Sequence, residues 1–299
     1  MIDIDTIQIN FNPDQLFLLN ICLAFLMFAV AIDIKLNDFV QVFKNPKVAF
    51  VGLFSQLILL PLLTIGLILI FKPAASVALG MILVAACPGG NVSNYAVHLA
   101  KGNSAVSIIL TSTTTILSIF ITPLAFLVWS KLIPGLQLMG REISIDPIKM
   151  VQTIFTLILI PLVVGMLLNH FFESAIERIK KPVKYLSMAI FVSFVIFGII
   201  GNLDNIVAYL GMVFTIVVVH NLSALCMGYY FAKFTGLVEK DRRAIAIETG
   251  IQNSGLALII IFNIFDGLGG MAIIAAFWGI WHLITGFGLA LYWEKKGLS

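Results

Sequence analysis

The chain has 299 residues, of which 60% are apolar and only 11% charged, with a mean hydropathy of +1.07. A soluble domain carries about 25% charged residues, so a water-soluble globule is excluded. A net charge of +3 with Lys and Arg confined to short loops gives no basic face, and nucleic acid is excluded as a partner. Cys22, Cys87 and Cys226 are scattered through apolar surroundings. Without CxxC or Cys/His spacing they read as packing residues rather than a disulfide framework or a zinc site.

In chain order, nine apolar segments follow at approximately 15–33, 48–71, 76–99, 103–130, 150–171, 184–201, 206–232, 244–264 and 270–293. Each is long enough to span a hydrocarbon core about 30 Å thick. The stretch before the first has Asp3, Asp5 and Asp14 but no Lys or Arg. It lacks the basic leader of a secretory signal, so the first apolar helix is expected to be retained.

An odd number of spans puts the termini on opposite sides. With the N-terminus outside, fourteen of the eighteen basic residues fall in inside loops, and only Lys72, Lys131, Arg141 and Lys149 remain outside. The positive-inside rule then predicts N-out and C-in. The expected setting is a bacterial inner (plasma) membrane, with the lipid bilayer as a partner.

Two segments are interrupted. The third holds Cys87-Pro88-Gly89-Gly90-Asn91-Val92-Ser93-Asn94, and the eighth holds Glu248-Thr249-Gly250-Ile251-Gln252-Asn253-Ser254-Gly255. Proline removes a backbone donor and crowds the preceding turn, and paired glycines do little to hold a helix. Backbone freed inside a membrane is tolerated only where protein or a water-filled cavity satisfies it, and paired breaks point to a transporter binding site. Asn91 and Asn253 are 162 residues apart, the same interval that separates Lys131 from Trp293 at the ends of segments four and nine. Segments 2–4 and 7–9 therefore read as inverted copies of one three-helix unit.

Glu248 is the only acid deep within an apolar span. A mid-bilayer charge costs at least about 2.5–3.5 kcal/mol, and such residues are functional by default. Hydroxyls, amides and freed carbonyls beside it suit a hard monovalent cation. Ser93, Asn94, Ser107, Thr111 and Glu248 make one such set, with Ser107 and Thr111 spaced i, i+4 on one helix face. Carbonyls around Thr249 and Ile251, with Gln56 and Gln252, make another. Alone, the Ser107/Thr111 pair reads more readily as packing, since such hydroxyls often bond their own helix. Helix N-termini after the two breaks suit an anion, with Asn91, Asn253 and Ser254 as the natural contacts. His98 and His170 read as interfacial, whereas His220 and His282 stand equally well as core residues or cavity lining.

At these residues the sequence resembles the bile acid:sodium symporter family. The likeness rests on the two break motifs, on Lys101-Gly102-Asn103-Ser104-Ala105-Val106-Ser107 with Leu110-Thr111-Ser112, and on Phe43-Lys44-Asn45-Pro46-Lys47 with Gln56 and Pro61. It runs from about Leu19 to Trp293. The resemblance implies an all-α integral membrane protein with nine transmembrane helices, inverted repeats and two broken, crossing helices. Core helices would be 48–71, 76–99, 103–130, 206–232, 244–264 and 270–293, beside a smaller panel of 15–33, 150–171 and 184–201. Ten-helix bacterial relatives carry one more helix at the start, so one panel repeat is expected to be incomplete.

The resemblance further implies two sodium ions. The first would be held by Ser93, Asn94, Ser107, Thr111 and Glu248, and the second by Gln56, Glu248, Thr249, Ile251 and Gln252. The substrate would be an organic anion, a bile salt or a smaller carboxylate, near Asn91, Asn253 and His282, carried in symport by alternating access. Asn91 stands where relatives carry small hydroxyl or other residues, which leaves the substrate open. A proton-coupled carrier through Glu248 is the alternative within transport, weakened by the lack of a second intramembrane acid. A channel is another, to be told from a carrier by saturation and counterflow. An intramembrane enzyme finds no HExxH or GxSxG to support it.

Overall fold

The computed structural model describes residues 4–6, 13–32, 46–133, 137–138, 141–142, 147–200 and 203–297. Within these the protein is all helical apart from a two-residue antiparallel ladder, Gln137–Leu138 with Arg141–Glu142. The helices are α1 (Pro13–Ala31), α2 (Pro46–Phe71), α3 (Ala75–Ala86), α4 (Val92–Leu99), α5 (Ser104–Lys131) and α6 (Ile148–Phe171). They continue with α7 (Glu173–Ile200), α8 (Leu203–Phe234), α9 (Glu239–Gly250), α10 (Ser254–Ile264) and α11 (Gly269–Lys296). Among the described residues, five helices are long and apolar enough to cross a membrane: α2, α5, α6, residues Gly211–Phe234 of α8, and α11.

Both interruptions are present. Segment three divides into α3 and α4 around Pro88, and Cys87 before it is extended at φ −74, ψ 155, as the residue preceding a proline prefers. Segment eight divides into α9 and α10 at an extended Ile251. The two unwound stretches cross antiparallel, with Gly89 opposite Gln252. Gly90 N–H donates to the Ile251 carbonyl at 2.9 Å and Asn253 N–H to the Pro88 carbonyl at 2.8 Å. Each break thus satisfies backbone groups that the other has freed. Side chains satisfy two more: Thr122 donates to the Ala86 carbonyl at the end of α3, and Asn221 to the Gly250 carbonyl at the end of α9.

Two further irregularities carry no signal that hydropathy registers. α2 contains a wide turn over Ser55–Leu59 and α6 a matching one over Phe155–Leu159, each followed by a proline, Pro61 and Pro161. In each, the closing bond runs five residues back, from Leu60 to Ser55 and from Ile160 to Phe155. The proline lacks the donor for the carbonyl four residues before it, and an added residue per turn relieves that crowding. Gln56 lies within the first wide turn.

The apolar run from 244 starts late: α9 begins at Glu239, so Glu239-Lys240-Asp241-Arg242-Arg243 is helical rather than loop, with Asp241 and Arg243 buried. Acids in a first helical turn are favoured by the helix dipole. Near the start of the chain, the short turn Ile4–Thr6 buries Ile4 and aims Asp5 at α3, whose Ala75 and Ser76 N–H groups donate to its carboxylate at 3.2 and 2.8 Å.

α1 packs on α6 and α7, while α2–α5 and α8–α11 pack chiefly among themselves. The two groups meet where α10 lies against α1 and α6, and where α5 lies against α6. At this seam Asn20 of α1 and Asn263 of α10 exchange amide bonds of 3.1 and 2.9 Å. Interhelical hydrogen bonds in a bilayer contribute about 0.6 kcal/mol on average and reach about 1.7. A double-mutant cycle of Asn20→Ala and Asn263→Ala, read by unfolding in mixed detergent, is expected to give a coupling of about that size. Additive losses would show that the pair contributes nothing.

Candidate functional site

The crossing gathers polar groups from four helices. Glu248, in the last turn of α9, has no exposed surface. Its Oε1 accepts from Ser93 and Ser107 and from Thr111 at 3.0 Å. Its Oε2 accepts from Thr111 at 2.9 Å and from Gln56 Nε2 at 3.3 Å. Ser107 also lies 2.7 Å from Asn94 Oδ1, and Thr111 3.4 Å from both Asn94 Oδ1 and Ser93 Oγ. The i, i+4 face of α5 and the first turn of α4 therefore converge on one carboxylate. All five residues of the first expected set are together, and among the described residues no Lys, Arg or His pairs with Glu248.

The second expected set adjoins the first through the backbone of the α9 terminus. Gln56 Nε2 donates to the Glu248 carbonyl at 2.9 Å. Gln252 Nε2 donates to the Thr249 carbonyl at 3.0 Å and to that of Glu248 at 3.4 Å. The oxygens of these amides, Gln56 Oε1 and Gln252 Oε1, are buried with no hydrogen-bond partner. A buried acceptor without a donor costs about 1–3 kcal/mol. Two such oxygens beside a pair of carbonyls fit a cation, which supplies what neither has. Thr249 Oγ donates to Ile245 and meets Ser55 Oγ at 2.8 Å, while the Ile251 carbonyl already accepts from Gly90. Neutral oxygens with one carboxylate form a hard-cation donor set, and among the described residues no cluster of three His, Cys, Asp or Glu side chains occurs.

Of the residues expected at the substrate, Asn91 precedes α4 and is half-buried, its side chain not engaged in capping. Asn253 caps α10 by accepting from Leu256 N–H at 3.0 Å, and its Nδ2 lies 4.0 Å from Met27 Sδ of α1. Ser254 opens α10 and is buried. These three sit at the crossing, and Asn253 reaches α1. His282 is buried on α11 with Nδ1 unpartnered. None of its hydrogen bonds among the described residues reaches the other three. His220 is a satisfied core residue, bonded to Thr64 Oγ at 2.8 Å and edge-on to Trp278.

Ser55, Thr114, Thr285 and Gly89 join the site without having been singled out by sequence pattern as members of it. Thr285 donates to Asn221 Oδ1 at 2.6 Å and so orients the amide that covers Gly250. Gly89 N–H faces Thr114 Oγ at 3.4 Å. The glycine pair at 89 and 90 is a visible signal, but in sequence it marks only a helix break.

Residues 20–209 match the model of the Sodium Bile acid symporter family. The chain is 30% identical over 278 residues to the "Uncharacterized sodium-dependent transporter YocS" of Bacillus subtilis (strain 168), covering 93% of this chain and 83% of that one. It is 29% identical over 283 residues to the "Probable sodium/metabolite cotransporter BASS2, chloroplastic" of Oryza sativa subsp. japonica, with 94% of this chain and 65% of that one covered. A similar relation holds to the "Probable sodium/metabolite cotransporter BASS3, chloroplastic" of Arabidopsis thaliana, at 30% identity over 90% of this chain and 60% of the relative. The chain thus spans somewhat under two thirds of these plant proteins.

Proposed function

We propose, since this chain belongs to the sodium bile acid symporter family, that it carries a small organic anion across a membrane in symport with two sodium ions. The family is one of sodium-dependent membrane transporters, not enzymes. Sodium is cargo here. The first ion is assigned to Ser93, Asn94, Ser107, Thr111 and Glu248. The second is assigned to Gln56, Gln252 and the backbone of Glu248, Thr249 and Ile251. The observation that carries this reading is the buried Glu248 carboxylate beside two unpartnered amide oxygens, with no protein cation pairing with it among the described residues.

Asn91, Asn253 and Ser254 are assigned to the anion, with His282 on the neighbouring helix. The helix ends that start at Val92 and Ser254 present the positive ends of two helix dipoles to a negative charge. α1, α6 and α7 form the panel, and the remaining helices form the core of inverted repeats. Alternating access would move one against the other at the seam that holds Asn20 and Asn263. Nine spans with the N-terminus outside complete this reading. With two sodium ions per monoanion, a membrane potential of about 100 mV contributes roughly 2.3 kcal/mol per net charge moved.

The test is thermal unfolding of purified protein in matched sodium and potassium chloride. An ion that binds only the folded state contributes about 2.7 kcal/mol at a hundred times its dissociation constant. The midpoint is expected to rise with sodium and to be unmoved by potassium at equal ionic strength. Candidate anions can then be screened as further stabilisers in sodium. Identical midpoints in the two salts would remove sodium coupling. Uptake driven by a pH gradient without sodium would put proton coupling through Glu248 in its place.

A further inference from the structure

Gly89 and Gly90 stand side by side in the first break, yet their missing side chains matter for different reasons. Neither has the left-handed backbone that favours glycine, so an alanine fits either φ. A Cβ at Gly90 would meet backbone of the crossing, 3.1 Å from the Gln252 carbonyl oxygen, and the Ile251 side chain at 3.3 Å. A Cβ at Gly89 would lie 2.8 Å from Glu248 Oε2, 3.3 Å from Gln56 Nε2 and 3.8 Å from Thr111 Oγ. Its neighbours are thus the carboxylate between the two donor sets and one member of each set.

We infer that Gly89 sets the size of the cation accepted beside Glu248, by leaving open the space that fixes where Oε2 lies between the two donor sets. This rests on the sodium reading above. Glu248 cannot retreat freely, because Ser93, Ser107 and Thr111 hold Oε1 and the residue is fully buried. Interiors are packed closely enough that one added carbon is felt. A methyl at position 89 therefore displaces Oε2 and itself fills the space between Gln56, Glu248 and Thr111, which narrows the oxygen cage. A narrower cage disfavours sodium relative to the smaller lithium ion. Backbone crowding at position 90 loosens the crossing without pressing on the carboxylate.

The experiment compares wild type, Gly89→Ala and Gly90→Ala in matched series of sodium, lithium and potassium chloride, reading each apparent affinity from the rise in unfolding midpoint. Gly89→Ala is expected to weaken sodium relative to lithium by about tenfold, equivalent to about 1.4 kcal/mol. Gly90→Ala, which presses on Ile251 and Gln252 but not on the carboxylate, is expected to lower the midpoint in every salt and to change the ratio less than Gly89→Ala does. A wild-type ratio in Gly89→Ala overturns the inference, and so does an equal change of ratio in both variants. If Gly89→Ala does not accumulate, Gly89→Ala/Glu248→Asp shortens the carboxylate beneath the added methyl. Measured against Glu248→Asp alone, it is expected to lean further toward lithium, and an unchanged preference counts against Gly89. A wild-type protein with no cation response marks failure of the sodium reading itself, whereas a responsive wild type isolates the question to position 89.

Discussion

Converting Glu248 to glutamine is expected to abolish the sodium-dependent rise in stability while leaving the protein in potassium at least as stable as wild type. A buried charge is costly unless paired and hydrogen-bonded. Here hydroxyls of Ser93, Ser107 and Thr111, with the Gln56 amide, supply the bonds, and sodium is assigned the pairing. Glutamine keeps an oxygen for the three hydroxyls and removes the charge. Its amide nitrogen then faces Gln56 Nε2, and rotation of the Gln56 amide relieves that clash by exchanging its bond to the backbone carbonyl of residue 248 for one from the new amide. Glu248→Ala makes the contrast. It strips the acceptor from four donors, and a buried group left unsatisfied costs about 1–3 kcal/mol, so its midpoint is expected to fall in both salts. Unfolding of the three proteins in sodium and in potassium checks both statements. A glutamine variant that still responds to sodium as wild type does would remove Glu248 from the ion site.

What the sequence discloses about this site, and what it hides, follows from the range of each interaction. The two breaks are legible because Pro88, Gly89 and Gly90 act on their own backbone. Glu248 is legible because a lone acid among apolar residues has no local explanation. Ser107 and Thr111 are legible as one face because helical periodicity is local too. The wide turn at Ser55–Leu59 is hidden, because Pro61 signals crowding but not whether the helix kinks or absorbs a residue. Thr285, Asn221 and Gly250 form a chain across three helices, and no spacing rule connects residues 64 positions apart. The amide exchange between Asn20 and Asn263, 243 positions apart, is hidden for the same reason. Hydropathy misplaces the start of α9, because it records that Arg243 is charged and not that its guanidinium is buried among carbonyls.

That guanidinium carries the second large expectation. Arg243 is 1% exposed, and its Nη1 donates to the carbonyls of Ala100 at 2.9 Å and Trp293 at 3.1 Å. Nη2 donates to the Gly297 carbonyl, Nε to Glu239 at 3.0 Å, and the group lies 5.5 Å from the Trp293 ring centroid. One planar fork therefore joins the start of α9 to the α4–α5 turn and to the end of α11. Asn103 adds a second tie, donating through Nδ2 to Asp241 at 2.7 Å and through its N–H to the Lys240 carbonyl at 2.9 Å. Removing the guanidinium takes a donor from the carbonyls of Ala100, Trp293 and Gly297, while the partly exposed Glu239 keeps Arg242 as a partner. At about 1–3 kcal/mol for a buried group left unsatisfied, Arg243→Ala is expected to lose about 3 kcal/mol. Arg243→Lys is expected to recover only part of it, because an ammonium is a point donor and cannot address three carbonyls and a carboxylate in one plane. The position lies more than a helical turn from Glu248, beyond the oxygen cage. Folded protein of either variant should therefore keep the wild-type sodium increment on a lower baseline. Unfolding in the two salts separates baseline from increment. A lysine variant equal to wild type would show that the fork geometry contributes nothing, and a lost increment would extend the ion site to the far end of α9.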